Sequence, residues 1–528
     1  FAGYPFFTFY TVVFLVVWFA FQKPSFQTWR FLGLTLAGTA LVTALQWLPF
    51  LEMLTYAKPG AWTQYPYFDR PLDYLTLLKP DILGIPGSVS YRGPFANGMF
   101  VLYFGLIPLV IFLLNIFVPA KPERRFWIFA SLFWLIWMVG VSFPLWRLIP
   151  MGLLEWLEPS KAVGLFLFCA VTLAALSLSR FFESRLAPKK QIAVAVVLVV
   201  LWMLDLGRLP FLLLEPMKDP FQRVDIRETA EKITPLLAGG RMLSLHNPEE
   251  MAFSGTQDEA FGRAFNFPVE MFLANSNAVW GIRSADRYLF LQVDGSENLT
   301  RYYNRGKPDA GDLLDIAGVR AFLIPQPLPA PKYKLAGKIG NDFLSLNPQA
   351  SQDMRWVPEA AEFPDRPSIL NTLSRPNSQW QHKVYLEKNV DGSFVSLPPV
   401  RRNLFQMMYI NPDFSFQHSN EDGTCWWQGN SPKTGFVALN ESYTPGWHAW
   451  VDGNPKPILR AYGLFMTVAV DKGPHTVDFR YEPASFRLGL FISLLSLVIF
   501  LTGFIKALNH RVNGVMQSES KPRKRSKN

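Results

Sequence analysis

Residues 443–500, YTPGWHAWVDGNPKPILRAYGLFMTVAVDKGPHTVDFRYEPASFRLGLFISLLSLVIF, decide the fold, because a strand-rich segment runs directly into an apolar one. WHAWV, PILRAYG, FMTVAV and HTVDFRY predict strands, since β-branched and aromatic residues lie between Gly, Pro and Asn breaks. Asp452-Gly453 predicts a hairpin turn, because this pair tolerates positive φ. We therefore expect a β-sandwich-like module at 425–485 and a last transmembrane helix at 486–507.

Upstream of this module the pattern is mixed. Residues 222–237 predict a short helix, and LLDIAGVRAFLI at 313–324 predicts a helix running into a strand. Together with the module, these segments predict an α+β domain with a β-sandwich over 215–485.

Apolar runs fill the first part of the chain. Only 17% of the 528 residues are charged, against about 25% in soluble proteins. Runs close to the length that crosses a bilayer occur at 6–21, 31–51, 99–118, 126–143, 161–180 and 191–214. The sequence thus predicts a polytopic α-helical membrane protein. Its membrane domain, 1–214, has about six transmembrane helices and outer loops at 52–98 and 144–160.

Lys and Arg collect in alternate links between these runs. They concentrate near 22–30, 119–125 and 181–190 and in the tail at 508–528. The positive-inside rule makes these segments cytoplasmic and the 215–485 domain extracytoplasmic. A basic tail beside a membrane helix is a topology signal and attracts anionic lipid, so we expect the bilayer, and no nucleic acid, as its partner.

Cysteine and histidine give no sign of a disulfide framework or a zinc site. Cys169 falls in an apolar run and Cys425 in the outer domain, so the two are not expected to meet. The six histidines show no zinc-binding spacing. The sequence assigns no cofactor with certainty and leaves a divalent metal open.

The quoted stretch resembles the C-terminal signature of the bacterial YfhO family of membrane proteins. The similarity lies in Pro-Gly-Trp, a Val-Asp-Gly hairpin, a Gly-x-His-x-Val strand and Tyr-x-Pro-x-Ser-Phe before the last helix. The start of the chain, LQWLPFLEM at 45–53, YFG at 103–105 and LLDIAGVRAFLI agree more weakly. Pro159-Ser160-Lys161 departs from the Pro-x-Arg that the family often has there.

The resemblance implies a GT-C-like helix bundle in the bacterial cytoplasmic membrane. It implies transfer of a sugar from a polyprenyl-phosphate carrier to an envelope glycopolymer. The family's acidic residue of the first outer loop would precede Phe1. Two other functions remain open: a non-catalytic envelope assembly or sugar-binding protein, and a transporter component.

Such a transfer needs a carboxylate near the acceptor hydroxyl and cations near the leaving phosphate, at the outer membrane surface. The 52–98 loop offers carboxylates and cations of this kind. From this loop we take Glu52, Asp69 and Asp73 as catalytic candidates and Arg70 and Arg92 as phosphate-binding candidates. Arg147 and Lys161, at the next outer loop, 144–160, are further phosphate-binding candidates.

Asp205 and Arg208 lie three residues apart inside an apolar run. An ionisable group in a span is costly and usually faces the protein interior or water. Asp205 is thus a catalytic candidate and Arg208 a phosphate-binding one. We expect Asp205→Asn to abolish sugar transfer without changing the membrane level of the protein. The alternative is an interfacial ion pair at the end of the span.

Aromatic residues of the module could also stack on a sugar. The candidates for this face are Trp447, Trp450 and Tyr462. The alternative is that these rings form the core and edge of the sandwich.

Overall fold

The computed structural model of the chain separates a helical part from a β-rich part. It describes residues 5–59, 71–80, 82–83, 102–117, 122–139, 159–185, 187–213, 224–244, 280–285, 291–293, 312–324, 326–328, 331–339, 342–375, 378–389, 391–399, 417–419 and 424–519.

Helices form at each of the seven apolar runs. They are α1 (Pro5–Phe21), α2 (Phe26–Val42), α3 (Ala44–Leu54), α4 (Leu106–Phe117), α5 (Pro122–Trp137), α6 (Val163–Arg185), α7 (Pro188–Leu213) and, at the end of the chain, α11 (Ala484–Glu519). Short 3₁₀ helices occupy Pro71–Leu77 and Pro159–Ala162.

Three of these helices are long and apolar enough to cross a membrane by themselves. Their apolar windows are Val163–Arg180, Lys190–Gly207 and Ala484–Lys506. None of the residues in the α7 window is buried inside the protein, as expected of a helix surrounded by lipid. The full seven-span bundle therefore stays a prediction beyond these three helices and the bent pair described next.

The run at 31–51 is not one straight helix, which corrects the prediction. α2 and α3 meet at an angle of 78°, and the pair counts as one further span only if the two are taken together. α11 packs along α3 and also contacts α2.

The remaining helices share an aromatic core. α5 and α4 both pack on α6, and rings from α1, α4, α5 and α6 meet edge to face. At one end of this group, Ser177 Oγ and Arg124 Nη1 donate to Asn115 Oδ1 over 2.7 and 3.2 Å. At the other, Trp137 Nε1 donates to the Tyr10 hydroxyl over 3.0 Å.

A small α/β unit precedes the sandwich. Its elements are α8 (Val224–Leu237), β2 (Arg241–Ser244), α9 (Leu313–Ile316), β4 (Val319–Ile324), β5 (Lys334–Ile339) and β6 (Asp342–Leu346). The sheet order is β2-β4-β6-β5, and only β2 and β4 run parallel. The helix at 222–237 and the helix running into a strand at 313–324 are confirmed where the sequence predicts them.

Two larger sheets follow. Their elements are β7 (Met354–Val357), β8 (Glu359–Phe363), α10 (Arg366–Leu373), β9 (Lys383–Glu387), β10 (Ser396–Leu397), β11 (Gln417–Ser419), β12 (Thr424–Ser431), β13 (Gly435–Leu439), β14 (Trp447–Val451), β15 (Asn454–Lys456), β16 (Ile458–Ala461), β17 (Phe465–Val470) and β18 (Gly473–Tyr481).

The first sheet runs β7-β13-β17-β16-β9-β8, with β10 beside β16, and the second runs β11-β12-β18-β14-β15. Apolar residues from both sheets pack into one core that includes Val437, Val468, Val477 and Phe479. Asp452 and Gly453 have φ of 50° and 80°, so the predicted β14–β15 hairpin turn is confirmed.

One more strand ties the helices to the β-rich part. β1 (Ala57–Pro59), directly after α3, pairs antiparallel with β3 (Leu291–Val293). The end of α3 is therefore held beside the chain segment that lies between β2 and β4.

Candidate functional site at the junction of the helices and the sandwich

The chain passes from β18 into α11 through only Glu482 and Pro483. The Glu482 N–H donates to the Gly446 carbonyl over 2.7 Å. Gly446 has φ of +96°, and a Cβ there would lie 3.0 Å from the Tyr481 ring. Both facts call for glycine, which explains the Pro-Gly before Trp447. The turn fixes the direction in which α11 leaves the sandwich.

Three aromatic residues from distant parts of the chain meet at this turn. The hydroxyls of Tyr56 and Tyr481 lie 3.5 Å apart, within hydrogen-bonding distance. The ring centroid of Trp447 lies 5.5 Å from that of Tyr481, at an interplanar angle of 54°. Tyr481 is 37% exposed. The cluster therefore joins the end of α3 to the edge of the sandwich and leaves one ring open to a ligand.

Glu52 lies in the last turn of α3, four residues before Tyr56. Its Oε2 atom is buried and has no hydrogen-bond partner among the described residues. Burial, the Tyr481 hydroxyl and the charge of Glu52 all raise the pKa of Tyr56, burial most strongly. Tyr56 therefore stays protonated and can donate a hydrogen bond at the junction.

Positive groups lie on the sandwich side of the junction. Arg487, in the first turn of α11, forms an ion pair with Glu482, and its side chain is 48% exposed. His448 on β14 pairs across the sheet with Arg480 on β18. Burial, and then the charge of Arg487, lower the pKa of His448. The junction thus presents a carboxylate, phenols and guanidinium groups.

Asp205 lies in α7 and caps α4. The Tyr103 hydroxyl donates to both Asp205 carboxylate oxygens, over 2.6 and 2.7 Å, and the Leu106 N–H donates to Oδ2 over 2.9 Å. The first N–H groups of a helix lack partners within it, and a carboxylate there also interacts favourably with the helix dipole. This arrangement gives Asp205 a structural role that the sequence did not suggest.

Asp73 is 1% exposed in the first turn of its 3₁₀ helix. The next residue, Tyr74, donates its hydroxyl to the Leu135 carbonyl over 3.2 Å. Burial, and then the charge of Asp73, raise the pKa of Tyr74 to about 12. Asp73 is therefore packed against the helical part instead of lying in an open loop.

Several candidates fall outside the described residues, namely Asp69, Arg70, Arg92 and Arg147. Lys161 lies in the 3₁₀ helix Pro159–Ala162 and Arg208 in α7, and their side chains are also outside the described part. In the described part of the chain, no three His, Cys, Asp or Glu side chains lie close enough to hold a metal ion.

The proposed sugar-stacking face needs correction. Trp450 and Tyr462 are both 0% exposed. Trp450 lies inside the sandwich, and the Tyr462 hydroxyl donates to the carbonyls of Trp380 and Lys383, each over 3.2 Å. A ring without exposed surface cannot stack on a sugar, so only Trp447, which is partly buried, remains a candidate.

The structure thus brings Glu52 together with Tyr56 and Tyr481, and Asp205 together with Tyr103. Sequence reasoning missed the three tyrosines. Tyr481 belongs to the Tyr-x-Pro-x-Ser-Phe signature and Tyr103 to YFG, so membership of a motif is the signal that could have identified both.

The sandwich side of the junction lies within the segment that comparison identifies. Residues 428–493 match the family described as bacterial membrane protein YfhO. The match runs from β12 through the sandwich strands into the first turns of α11, which confirms the resemblance over this segment. No curated protein and no solved structure shows a significant match to the chain.

Proposed function

We propose, starting from the similarity of residues 428–493 to bacterial membrane protein YfhO, that this chain is a membrane-embedded glycosyltransferase. It moves a sugar from a polyprenyl-phosphate carrier onto an envelope glycopolymer. The reaction takes place at the outer face of the bacterial cytoplasmic membrane, with the β-rich domain outside.

One observation carries the proposal: the buried Oε2 atom of Glu52 has no hydrogen-bond partner among the described residues. A buried acceptor that lacks a donor is costly, and such atoms in native proteins call for an explanation. Glu52 as a whole is only partly buried, so a rotation of its carboxylate would bring this oxygen to the hydroxyl of a glycopolymer acceptor, which would supply the donor. Glu52 would then take the hydroxyl proton as the oxygen attacks the anomeric carbon of the donor sugar, whose bond to the carrier phosphate breaks so that polyprenyl phosphate leaves.

The surroundings of Glu52 suit the other demands of this reaction. Tyr56 and Tyr481 can bind sugar hydroxyls through their own hydroxyls, and Tyr481 and Trp447 can present rings to a sugar face. Arg487 lies at the start of a membrane helix, at the depth where a carrier's phosphate would emerge, and can stabilise its developing charge. Arg70, Arg92, Arg147, Lys161 and Arg208 remain proposed phosphate ligands.

The test replaces Glu52 with Gln, which keeps the size of the side chain and removes its basicity. Transfer of radiolabelled sugar from polyprenyl-phosphate donors to envelope polymer is measured in membranes that contain the full chain. We expect transfer to fall by roughly a hundredfold or more. Glu362→Gln serves as the matched control, because Glu362 forms an exposed ion pair with Lys388 on the sandwich.

Membrane level, followed by immunoblot, should be the same in both variants. If Glu52→Gln transferred sugar as fast as Glu362→Gln, Glu52 would not be the base and the proposal would lose its central residue.

A further inference from the structure

The bend between α2 and α3 leaves backbone groups without partners inside their own helices. Thr43, at the N-terminal cap position of α3, makes no side-chain cap hydrogen bond, because its hydroxyl donates back to the Thr39 carbonyl over 2.8 Å. The Gln46 N–H donates to the Thr43 carbonyl over 3.0 Å, but the Leu45 N–H needs an acceptor from elsewhere. In apolar surroundings such groups are rarely left unsatisfied.

Two side chains satisfy one backbone group on each side of the bend. Ser493 Oγ, in α11, accepts the N–H of Leu45 over 2.9 Å. On the other side of the bend, Trp47 Nε1 donates to the Ala40 carbonyl over 2.7 Å. Ser493 thus takes the capping role that Thr43 does not fill, at the second residue of α3.

Close contact between α3 and α11 depends on a glycine. A Cβ at Gly489, one turn before Ser493, would lie 2.6 Å from the Ala44 carbonyl oxygen and 2.9 Å from Leu45 Cα. Contacts this short with backbone cannot be relieved by a side-chain rotation. Small residues at this spacing are typical of close helix packing in membranes.

The geometry points to a positioning role for Gly489 and Ser493. We propose that these two residues of α11 hold the start of α3, and that α11 thereby transmits the position of the sandwich to Glu52. The chemical consequence rests on the proposed function of Glu52. The packing of Gly489 and Ser493 against the start of α3 does not depend on that function.

The path from the sandwich to Glu52 is short and fixed at each step. The Gly446–Glu482 hydrogen bond and the Arg487–Glu482 ion pair hold the start of α11. Gly489 and Ser493 then hold the start of α3. Glu52 lies eight residues after Ala44, roughly 12 Å along the helix axis. A tilt of α3 at its start therefore moves Glu52 away from Tyr481.

Cross-linking measures this arrangement without any assay of activity. Cysteines replace Tyr56 and Tyr481 in the full-length chain, and a short bismaleimide joins them in native membranes. The two native cysteines are buried and should give little background. We expect Ser493→Ala and Gly489→Leu to lower the cross-linking yield several-fold and Ser493→Thr, which keeps the hydroxyl, to restore it.

The same helix provides matched controls. A Cβ at Gly503 meets nothing within 4 Å, and Ser496 Oγ donates within its own helix to the Ile492 carbonyl over 2.7 Å. Gly503→Leu and Ser496→Ala should therefore leave the yield unchanged. Equal yields in the Ser493→Ala, Gly489→Leu and control proteins would overturn the proposal.

A second measurement separates this inference from the proposed function. In a chain with native Tyr56 and Tyr481, Ser493→Ala should lower the kcat of sugar transfer by roughly tenfold to a hundredfold, because small misplacements of a reacting group are costly. The KM for the donor should change little. Unchanged kcat despite reduced cross-linking would show that Glu52 needs no such positioning and would overturn the proposed effect on catalysis. If the unaltered chain transfers no sugar while cross-linking behaves as expected, the positioning stands and the glycosyltransferase proposal fails.

Discussion

His448 shows how a single residue can make the junction sensitive to pH. It lies half-buried on β14, opposite Arg480, and burial together with the charge of Arg487 lowers its pKa. The neutral imidazole is therefore the form that fits the folded protein. A proton added here would place a third positive charge beside two guanidinium groups.

We expect the melting temperature of the purified chain to fall as the pH is lowered, partly through His448. An unfolded histidine has a pKa of about 6.5. Because the folded pKa is lower, the stabilising contribution is present above about pH 6.5 and is lost as the pH falls through the folded pKa. His448→Gln should reduce this dependence, whereas His382→Gln, at an exposed position, should not. Identical pH profiles for the two variants would rule out His448 as the sensor.

Individual candidate residues were predicted from sequence only where the chemistry is local. Glu52 could be chosen because a carboxylate directly after an apolar run must lie near a membrane surface. Tyr56 and Tyr481 could not, because they are 425 positions apart and only the fold brings their hydroxyls together. The predicted sugar-stacking role of Trp450 and Tyr462 was wrong, because aromatic residues in a strand pattern are equally suited to a core.

At the scale of elements, the start of α4 depends on a neighbouring helix. Asp205 of α7 accepts the Leu106 N–H, and Trp202 Nε1 donates to the Phe104 carbonyl over 2.8 Å. Between them, Gly105 has φ of +100°, where a Cβ would lie 2.5 Å from the Trp202 ring. The chain therefore enters α4 through a turn that α7 shapes.

Asp205→Ala should destabilise the purified protein by about 1 kcal/mol, the usual cost of losing a cap, with a lower melting temperature. Asp205→Asn should cost less, since an amide oxygen can still accept the Leu106 N–H. Asp471→Ala, at an exposed position, is the control. If Asn and Ala melted alike, capping would not be the role of Asp205. Loss of transfer in a normally melting Asp205→Asn would assign it a chemical role as well.

Elements with a strong local pattern were predicted well. Helices form at each apolar run, and strands form at WHAWV, FMTVAV and HTVDFRY. The break between α2 and α3 was missed, because Thr43 does not cap α3 by itself and the missing acceptor is Ser493. A local sequence pattern cannot predict a bend that depends on a residue near the other end of the chain.

At the scale of the molecule, buried charges join the α/β unit to the sandwich. Arg241 donates to Glu441 Oε1 over 2.7 Å and to the Asn440 carbonyl over 2.8 Å. Arg283 pairs with Asp353 and also lies 3.4 Å from Glu441. These hydrogen-bonded pairs fix how the two units pack. The α/β unit and the sandwich should therefore move together as one rigid body at the membrane surface.

We expect this body to face the outside of the cell, as the distribution of Lys and Arg indicates. In intact cells, Lys472→Cys, at an exposed site between β17 and β18, should react with a membrane-impermeant maleimide. Gln22→Cys, an exposed site after α1, should react only after lysis. The buried native cysteines keep the background low. The opposite labelling pattern would reverse the orientation and exclude the chemistry proposed for the junction.

The hydrogen bond between Leu45 and Ser493 also means that the α2–α3 bend is synthesised long before the residue that completes it. Its partners are separated by 448 positions, and ribosomes add about 5–20 residues per second, so the α2–α3 bend waits roughly 20 to 90 s for α11. During that interval the Leu45 N–H must donate to another acceptor, such as water, a lipid headgroup or the insertion machinery. Nascent chains that stop before α11 should therefore be early clients of membrane quality control.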